Sequence, residues 1–273
     1  MKLSVMICTL NEGIERVPSI LLPFRKDVEY VVSFQYTSYD KLILLPSVLK
    51  DRKDVRIVTW DECGLSKNRN HALDVATGDV LLVSDDDCIY KNEYLDSIFK
   101  AFKENVDADI LLFKTLSSNG NDIKTYPSFV FDYPYVPKGY YPMSVEIAFR
   151  RNAINRTQLR FNTNFGLGAT YLCAGEEDVL LHDAMERGLK ARFVPMTIVE
   201  TDADTTGQHF LDNACMQRTK GAVFYYLFGF VGACCRCLKE GLSYVVRKGV
   251  NPFPLWKNMW LGMQYVRRGY ENM

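Results

Sequence analysis

The sequence has no net charge, few histidines and no long apolar run, and each lack removes a class of protein. Lys+Arg and Asp+Glu both number 33, so the overall basicity of a nucleic-acid binder is missing and no nucleic-acid partner is expected. Three His accompany eight Cys. Neither His nor Cys follows the one cysteine cluster, Cys234, Cys235 and Cys237, so a four-ligand zinc site is incomplete. The cysteines have no regular spacing, which fits free thiols in a reducing compartment better than a disulfide framework. The longest apolar stretch, residues 222–235, is 14 residues, short of the roughly 20 that cross a bilayer as a helix. The opening MKLSVMICTLNE lacks a small-residue cleavage site, so no secretory signal is expected and the chain is assigned to the cytoplasm. There is no internal repeat. A share of 48% hydrophobic and 24% charged residues in 273 excludes a disordered or collagen-like chain.

What is present is unevenly arranged. Residues 215–273 hold nine Lys/Arg against two Asp/Glu, a balance of +7, which leaves −7 for residues 1–214. Short Val- and Ile-rich runs at 3–8, 29–34, 55–59, 80–84 and 110–113 read as buried strands. The helical patterns at 66–76 and 93–104 lie between them. This alternation predicts an α/β, Rossmann-like parallel sheet. A Gly-, Pro- and Tyr-rich excursion follows at 117–141, then a returning strand at 144–149, a helix at 176–187 and a last strand at 191–194. The expected division is 1–205 as the catalytic domain and 206–273 as a basic helical extension. Its eleven aromatics from 222 onward suit either a cap on the sheet or contact with an anionic membrane surface.

Three motifs carry candidate chemistry. Ser84-Asp85-Asp86-Asp87 directly follows an apolar strand, which places three carboxylates where α/β sheets bind ligands. Hard oxygen ligands suit Mg²⁺ or Mn²⁺, although an Asp-rich turn has the same local appearance. Gly64-Leu65-Ser66-Lys67-Asn68-Arg69 opens a helix with donors able to meet a phosphate or a nucleobase, or with nothing more than a capped, solvated turn. Gly175-Glu176-Glu177-Asp178 puts acids in a first helical turn, where the dipole favours them and where a carboxylate could also accept a proton.

Taken together these motifs resemble the family 2 glycosyltransferases of the GT-A fold. SVMICTLNE is similar to their opening strand and nucleotide loop, GLSKNRNHAL with Ala76-Thr77-Gly78-Asp79 to their second nucleotide segment, SDDDC to their metal motif and GEEDVLL to their acceptor-side motif. The resemblance spans about residues 1–200. It implies that Thr9, Asn11, Glu12, Gln35, Ser66, Asn68 and Arg69 line a nucleotide pocket, that Asp85, Asp86 and Asp87 hold the sugar-nucleotide and a Mn²⁺ or Mg²⁺ ion through Asp85 and Asp87, and that Asp178 is the base with Glu177 beside it. Gln35 departs from the family's usual Asp. A late His, here His209, is a further candidate metal ligand, or an ordinary polar residue of its loop.

The implied activity is transfer of a sugar from a nucleoside diphosphate donor, UDP-type favoured, to a saccharide or lipid-linked saccharide, with inversion, in cell-surface polysaccharide or glycolipid assembly. A peripheral position on the inner membrane face would follow from the basic tail. The alternatives are a sugar-phosphate nucleotidyltransferase, whose Gly-rich basic loop after the first strand is not found here, and a non-catalytic nucleotide-sugar binder or membrane scaffold.

Overall fold

The computed structural model describes residues 1–201 and 210–271. The chain forms two compact units: 1–63, 67–160 and 183–203 make the first, and 64–66, 161–182 and 204–273 make the second.

The first unit is built on one eight-stranded sheet. Its strands are β1 (Leu3–Leu10), β2 (Val28–Tyr36), β3 (Val55–Asp61), β4 (Val80–Asp85), β5 (Ile110–Ser117), β6 (Phe131–Asp132), β7 (Ile147–Arg150) and β8 (Ala191–Thr201), in the order β3-β2-β1-β4-β7-β5-β8-β6. The four strands β1 to β4 run parallel, and β7 enters antiparallel to both β4 and β5. In β1 and β2 both faces are buried, which explains their nearly unbroken apolar sequences. The edge strand β3 is only partly covered and mixes Arg, Thr and Asp with its apolar residues. Short helices α1 (Val17–Ile20) and α2 (Ser47–Lys50) connect the early strands. The longer α4 (Asn92–Glu104) buries Leu95, Ile98, Phe99, Ala101 and Phe102 on one stripe, and α5 (Arg151–Thr157) follows β7.

The chain order reverses beside β1. From β1 it proceeds outward through β2 and β3, then returns to place β4 on the other side of β1. At such a switch point the carboxyl ends of the two strands open a crevice, and Cys8 of β1 pairs with Asp85 of β4 there.

β8 is longer than the expected 191–194. Against β5 it is irregular: β5 advances from Leu112 to Thr115 while β8 advances from Phe193 to Val199. Pro195 lies inside this bulge, where a residue without an N–H costs no ladder bond. The 117–141 excursion is pinned by Lys124, whose ammonium lies 2.9 Å from the buried Glu146 carboxylate, and by Tyr126, whose hydroxyl donates to Glu146 at 2.5 Å.

The second unit holds the start of α3 (Leu65–Val75), most of α6 (Glu176–Glu186), and the long helices α7 (Ala214–Lys248) and α8 (Pro252–Arg267). Asn213 caps α7 by accepting from the backbone N–H groups of Cys215 and Met216. α7 runs far past the 14-residue apolar stretch and breaks helical geometry at Gly229, where φ is 65°. By length and composition an 18-residue window of α7 could cross a membrane, with 28% of that window buried within the protein. The helical segment exceeds the 14-residue run because it continues, across the break at Gly229, through the polar residues that flank the run. α7 and α8 meet backbone to backbone: a Cβ on Gly221 would stand 2.0 Å from the Met259 carbonyl oxygen, and one on Gly262 1.8 Å from that of Arg218.

Beneath the amino ends of β1 and β2 the Glu29 carboxylate gathers Ser4 Oγ at 2.5 Å, Thr77 N at 2.7 Å, Thr77 Oγ1 at 2.6 Å and the Lys2 ammonium. Burial opposes the charge, but these donors outweigh it and hold the carboxyl down at about 2. Its stabilising contribution is complete above the ordinary carboxylate range and fades as pH falls toward 2. Glu29→Gln is expected to lose about 1–3 kcal/mol at pH 7, with the gap to the parent protein narrowing below pH 4.5. Urea titrations at several pH values measure this, and a pH-independent difference would contradict it.

Candidate active site

The carboxyl ends of β1, β2 and β4 bring most of the expected nucleotide residues into the first unit. Thr9 is the penultimate residue of β1, and its hydroxyl donates to Asp86 Oδ2 at 2.5 Å. Arg16, which the sequence gave no reason to single out, makes an ion pair with the same Asp86. Asn11 adopts a left-handed φ of 49° and accepts from Thr37 N at 3.0 Å. Glu12 is engaged by Lys41, which holds its carboxyl below the ordinary range.

On α3, Asn68 and Arg69 are 2% and 1% exposed, which corrects the picture of a solvated helix start. Asn68 Nδ2 donates to the Thr9 carbonyl at 3.0 Å. The Arg69 guanidinium donates to Asp85 Oδ1 at 3.0 Å and to Ser144 Oγ at 2.8 Å. A buried arginine forked between two partners fixes a carboxylate in direction as well as charge. Gln35, 1% exposed, leaves its amide nitrogen without a hydrogen bond among the described residues, as Asn68 leaves its side-chain oxygen. Buried polar atoms left in this state are costly unless a ligand or water completes them.

The three aspartates therefore have different surroundings. Asp85 is answered by Arg69 and Asp86 by Arg16 and Thr9, whereas Asp87 has the nearby Thr201 hydroxyl to favour its charged form. Desolvation, then the charges of Asp85 and Asp86, push the Asp87 carboxyl above its ordinary value. A hard oxygen ligand whose proton affinity is raised in this way, with two further carboxylates next to it, suits a divalent cation. Among the described residues no set of three or more His, Cys, Asp or Glu side chains is gathered as a preformed metal cage. His209 lies outside the described residues.

In the second unit Ser66 Oγ donates to the Phe165 carbonyl at 2.6 Å, and Gly166 follows with φ 101°. A Cβ at Gly166 would stand 3.0 Å from Ser66 Oγ and 3.2 Å from Glu176 Oε2, so this glycine lets the 64–66 turn and the first turn of α6 share one space. Glu176 is buried, while Glu177 and Asp178 are half-buried. The sequence offered no signal for Phe165-Gly166, since neither residue type announces a close approach on its own.

A hollow lined by Met1, Asp27, Phe99 and Lys103 lies by the amino ends of the strands, away from these residues.

The profile of a family described as Glycosyl transferase family 2 matches residues 4–168. No curated protein matches the chain. Among solved structures, residues 1–349 of TarS from S. aureus superimpose with a TM-score of 0.60 at 17% identity, covering 98% of this chain and 92% of that one. The same TarS fragment in complex with UDP-GlcNAc gives a TM-score of 0.58 at 15% identity, with the same coverage. These likenesses establish a common fold.

Gly13 gives a direct test of the Asp86 arrangement, because a Cβ there would sit 2.0 Å from Asp86 Oδ2. Gly13→Ala is expected to cost about 1–3 kcal/mol of stability through overpacking, and visibly less when Asp86→Ala is also present. Equal losses in both backgrounds, measured by urea unfolding, would remove the proposed contact.

Proposed function

The chain belongs to glycosyl transferase family 2, and from that membership we propose that it moves a sugar from a nucleoside diphosphate, UDP-type favoured, to an acceptor hydroxyl with inversion. The observation that carries this reading is the placement of Asp85, Asp86 and Asp87 beside Thr9 at the β1/β4 switch point. The unmatched polar atoms of Gln35 and Asn68 support a nucleotide as the missing partner. A TarS neighbour described in complex with UDP-GlcNAc adds to the preference for a UDP donor.

In this reading Thr9, Asn11, Glu12, Gln35, Asn68 and Arg69 hold the nucleotide, with Ser66 contributing from its turn. Arg69 and Arg16 fix the directions of Asp85 and Asp86, so the carboxylates are set before a donor arrives. Asp85 and Asp87 would hold Mn²⁺ or Mg²⁺, which would supply the positive charge that stabilises a departing diphosphate. Asp178 accepts the proton of the attacking hydroxyl, and Glu177 tunes it from the neighbouring position. The acceptor oxygen bonds to the anomeric carbon as the diphosphate oxygen leaves from the opposite face.

The acceptor proposed is a saccharide, lipid-linked in cell-surface polysaccharide or glycolipid assembly. Support comes from α7 and α8, where Val231, Leu238, Leu242, Val246, Phe253 and Trp260 are exposed alongside exposed Arg236, Lys239, Arg247, Lys248 and Lys257. Exposed apolar side chains among cations suit an anionic membrane surface, here the inner leaflet of a cytoplasmic enzyme's membrane.

Two measurements test these readings. Asp178→Asn should lower kcat by about 10²–10⁴-fold and leave donor binding intact, while Asp87→Ala should abolish Mn²⁺-dependent donor stabilisation and cost more activity than His209→Ala. Equal effects of the Asp87 and His209 substitutions would count against the assignment. In flotation with anionic vesicles the full chain should rise with the lipid, and Val246→Asp with Phe253→Asp should leave it at the bottom. A parent protein that never floats removes the membrane reading and leaves the transfer reading standing.

A further inference from the structure

Two of the eight free cysteines form a pair that the transfer chemistry does not use. Cys173 lies in the loop ahead of α6 and Cys215 in the first turn of α7, and contacts made through Thr219 and Tyr171 bring their side chains near one another. Reciprocal contacts fix this meeting. Cys173 N donates to Thr219 Oγ1 at 3.0 Å, with Cys173 Sγ 3.9 Å from the same hydroxyl. Thr219 is one helical turn beyond Cys215. In the other direction Cys215 Sγ donates to the Tyr171 carbonyl at 3.5 Å, two residues before Cys173. The Arg218 guanidinium lies 4.5 Å over the Tyr171 ring and also reaches that carbonyl, at 3.5 Å. Both cysteines are half-buried, accessible to a small reagent.

The electrostatics give the two sulfurs different roles. The neighbouring Cys173 thiol, then the positive charge of Arg218, outweigh burial and bring the Cys215 thiol down to about 6. The same neighbour and burial push the Cys173 thiol up. Near neutral pH Cys215 gives up the proton it otherwise donates to the Tyr171 carbonyl and becomes a thiolate beside the proton-bearing Cys173 thiol, and a thiolate with an adjacent resolving thiol is the arrangement that reacts with peroxides. Among the described residues no third His, Cys, Asp or Glu joins the two thiols to make a zinc or iron site.

We propose that Cys173 and Cys215 are an oxidation site, a dithiol that hydrogen peroxide converts to a disulfide joining the loop before α6 to the first turn of α7. The Cys215 thiolate attacks one peroxide oxygen, forming an S–O bond as the O–O bond breaks. The departing hydroxide takes a proton and leaves as water. The Cys173 sulfur then attacks the sulfenic sulfur, the S–S bond forms, and the hydroxyl leaves with the Cys173 proton as a second water. The two cysteines together lose two electrons and the peroxide gains them. A thiol reductant reverses the step by exchange.

The test is peptide mapping of the full chain after hydrogen peroxide treatment, with iodoacetamide blocking the remaining thiols. The expected product is a cross-linked pair of peptides carrying Cys173 and Cys215, lighter by two hydrogens and separated again by dithiothreitol. Iodoacetamide labelling of untreated protein should show Cys215 titrating with a midpoint near 6, raised by at least about one pH unit in Cys173→Ala, where the neighbouring thiol is gone. Recovery of Cys173 and Cys215 as separate thiols or separate sulfinic acids after oxidation overturns the proposal, as does a cross-link to any other cysteine in their place. The mapping uses the parent protein, so it decides the matter even if the Cys173 variant fails to fold.

Discussion

Three consecutive carboxylates at the end of one buried strand repel one another, and the first unit is arranged around that repulsion. Arg69 takes Asp85 and Arg16 takes Asp86, which leaves Asp87 in the residual field of its neighbours with a nearby hydroxyl to offset it. The guanidiniums lower the cost of the cluster without abolishing it. Placing them on α3 and on the turn after β1 also ties the ends of β1 and β4 to the surrounding chain. On the proposed function, a site that receives an anionic diphosphate would thus begin with its carboxylates directed and only partly neutralised.

The parallel half of the sheet was legible in the sequence because each of its interior strands is buried on both faces and so reads as an unbroken apolar run. α4 was legible for the complementary reason, a single apolar stripe at helical spacing. The motif positions were legible too, since a strand followed directly by Asp85-Asp86-Asp87 can present them only at the sheet edge. Their partners were not. Arg16 and Asp86 are seventy residues apart, and no local pattern marks Arg16 as different from any other surface arginine. Asn68 and Arg69 read as solvated donors for a similar reason: burial of α3 depends on β1 and on Ser144, which arrive from distant parts of the chain.

The second unit was the least readable. The apolar run at 222–235 was visible, but helix continuity through Lys239 and Glu240 depends on α8 packing against it, and that packing is set by Gly221 and Gly262 rather than by large apolar residues. Small residues let two backbones approach closely, so dispersion between main chains replaces some of the side-chain burial of an ordinary helix pair. This leaves bulky side chains such as Val231 and Val246 directed outward. The Cys173–Cys215 meeting is hidden for the same reason as the Arg16 pair, since forty-odd residues separate partners that only tertiary structure joins.

The bulge around Pro195 carries a consequence for the aspartates. Beyond it, Glu200 exchanges backbone hydrogen bonds with Ile89, and the next residue, Thr201, brings its hydroxyl near Asp87. Which side chain arrives there is therefore a matter of chain length through the bulge, not of what Met196 or Thr197 happen to be. One residue more in that stretch would deliver the Glu200 carboxylate in place of the threonine, exchanging a proton donor for a fourth negative charge.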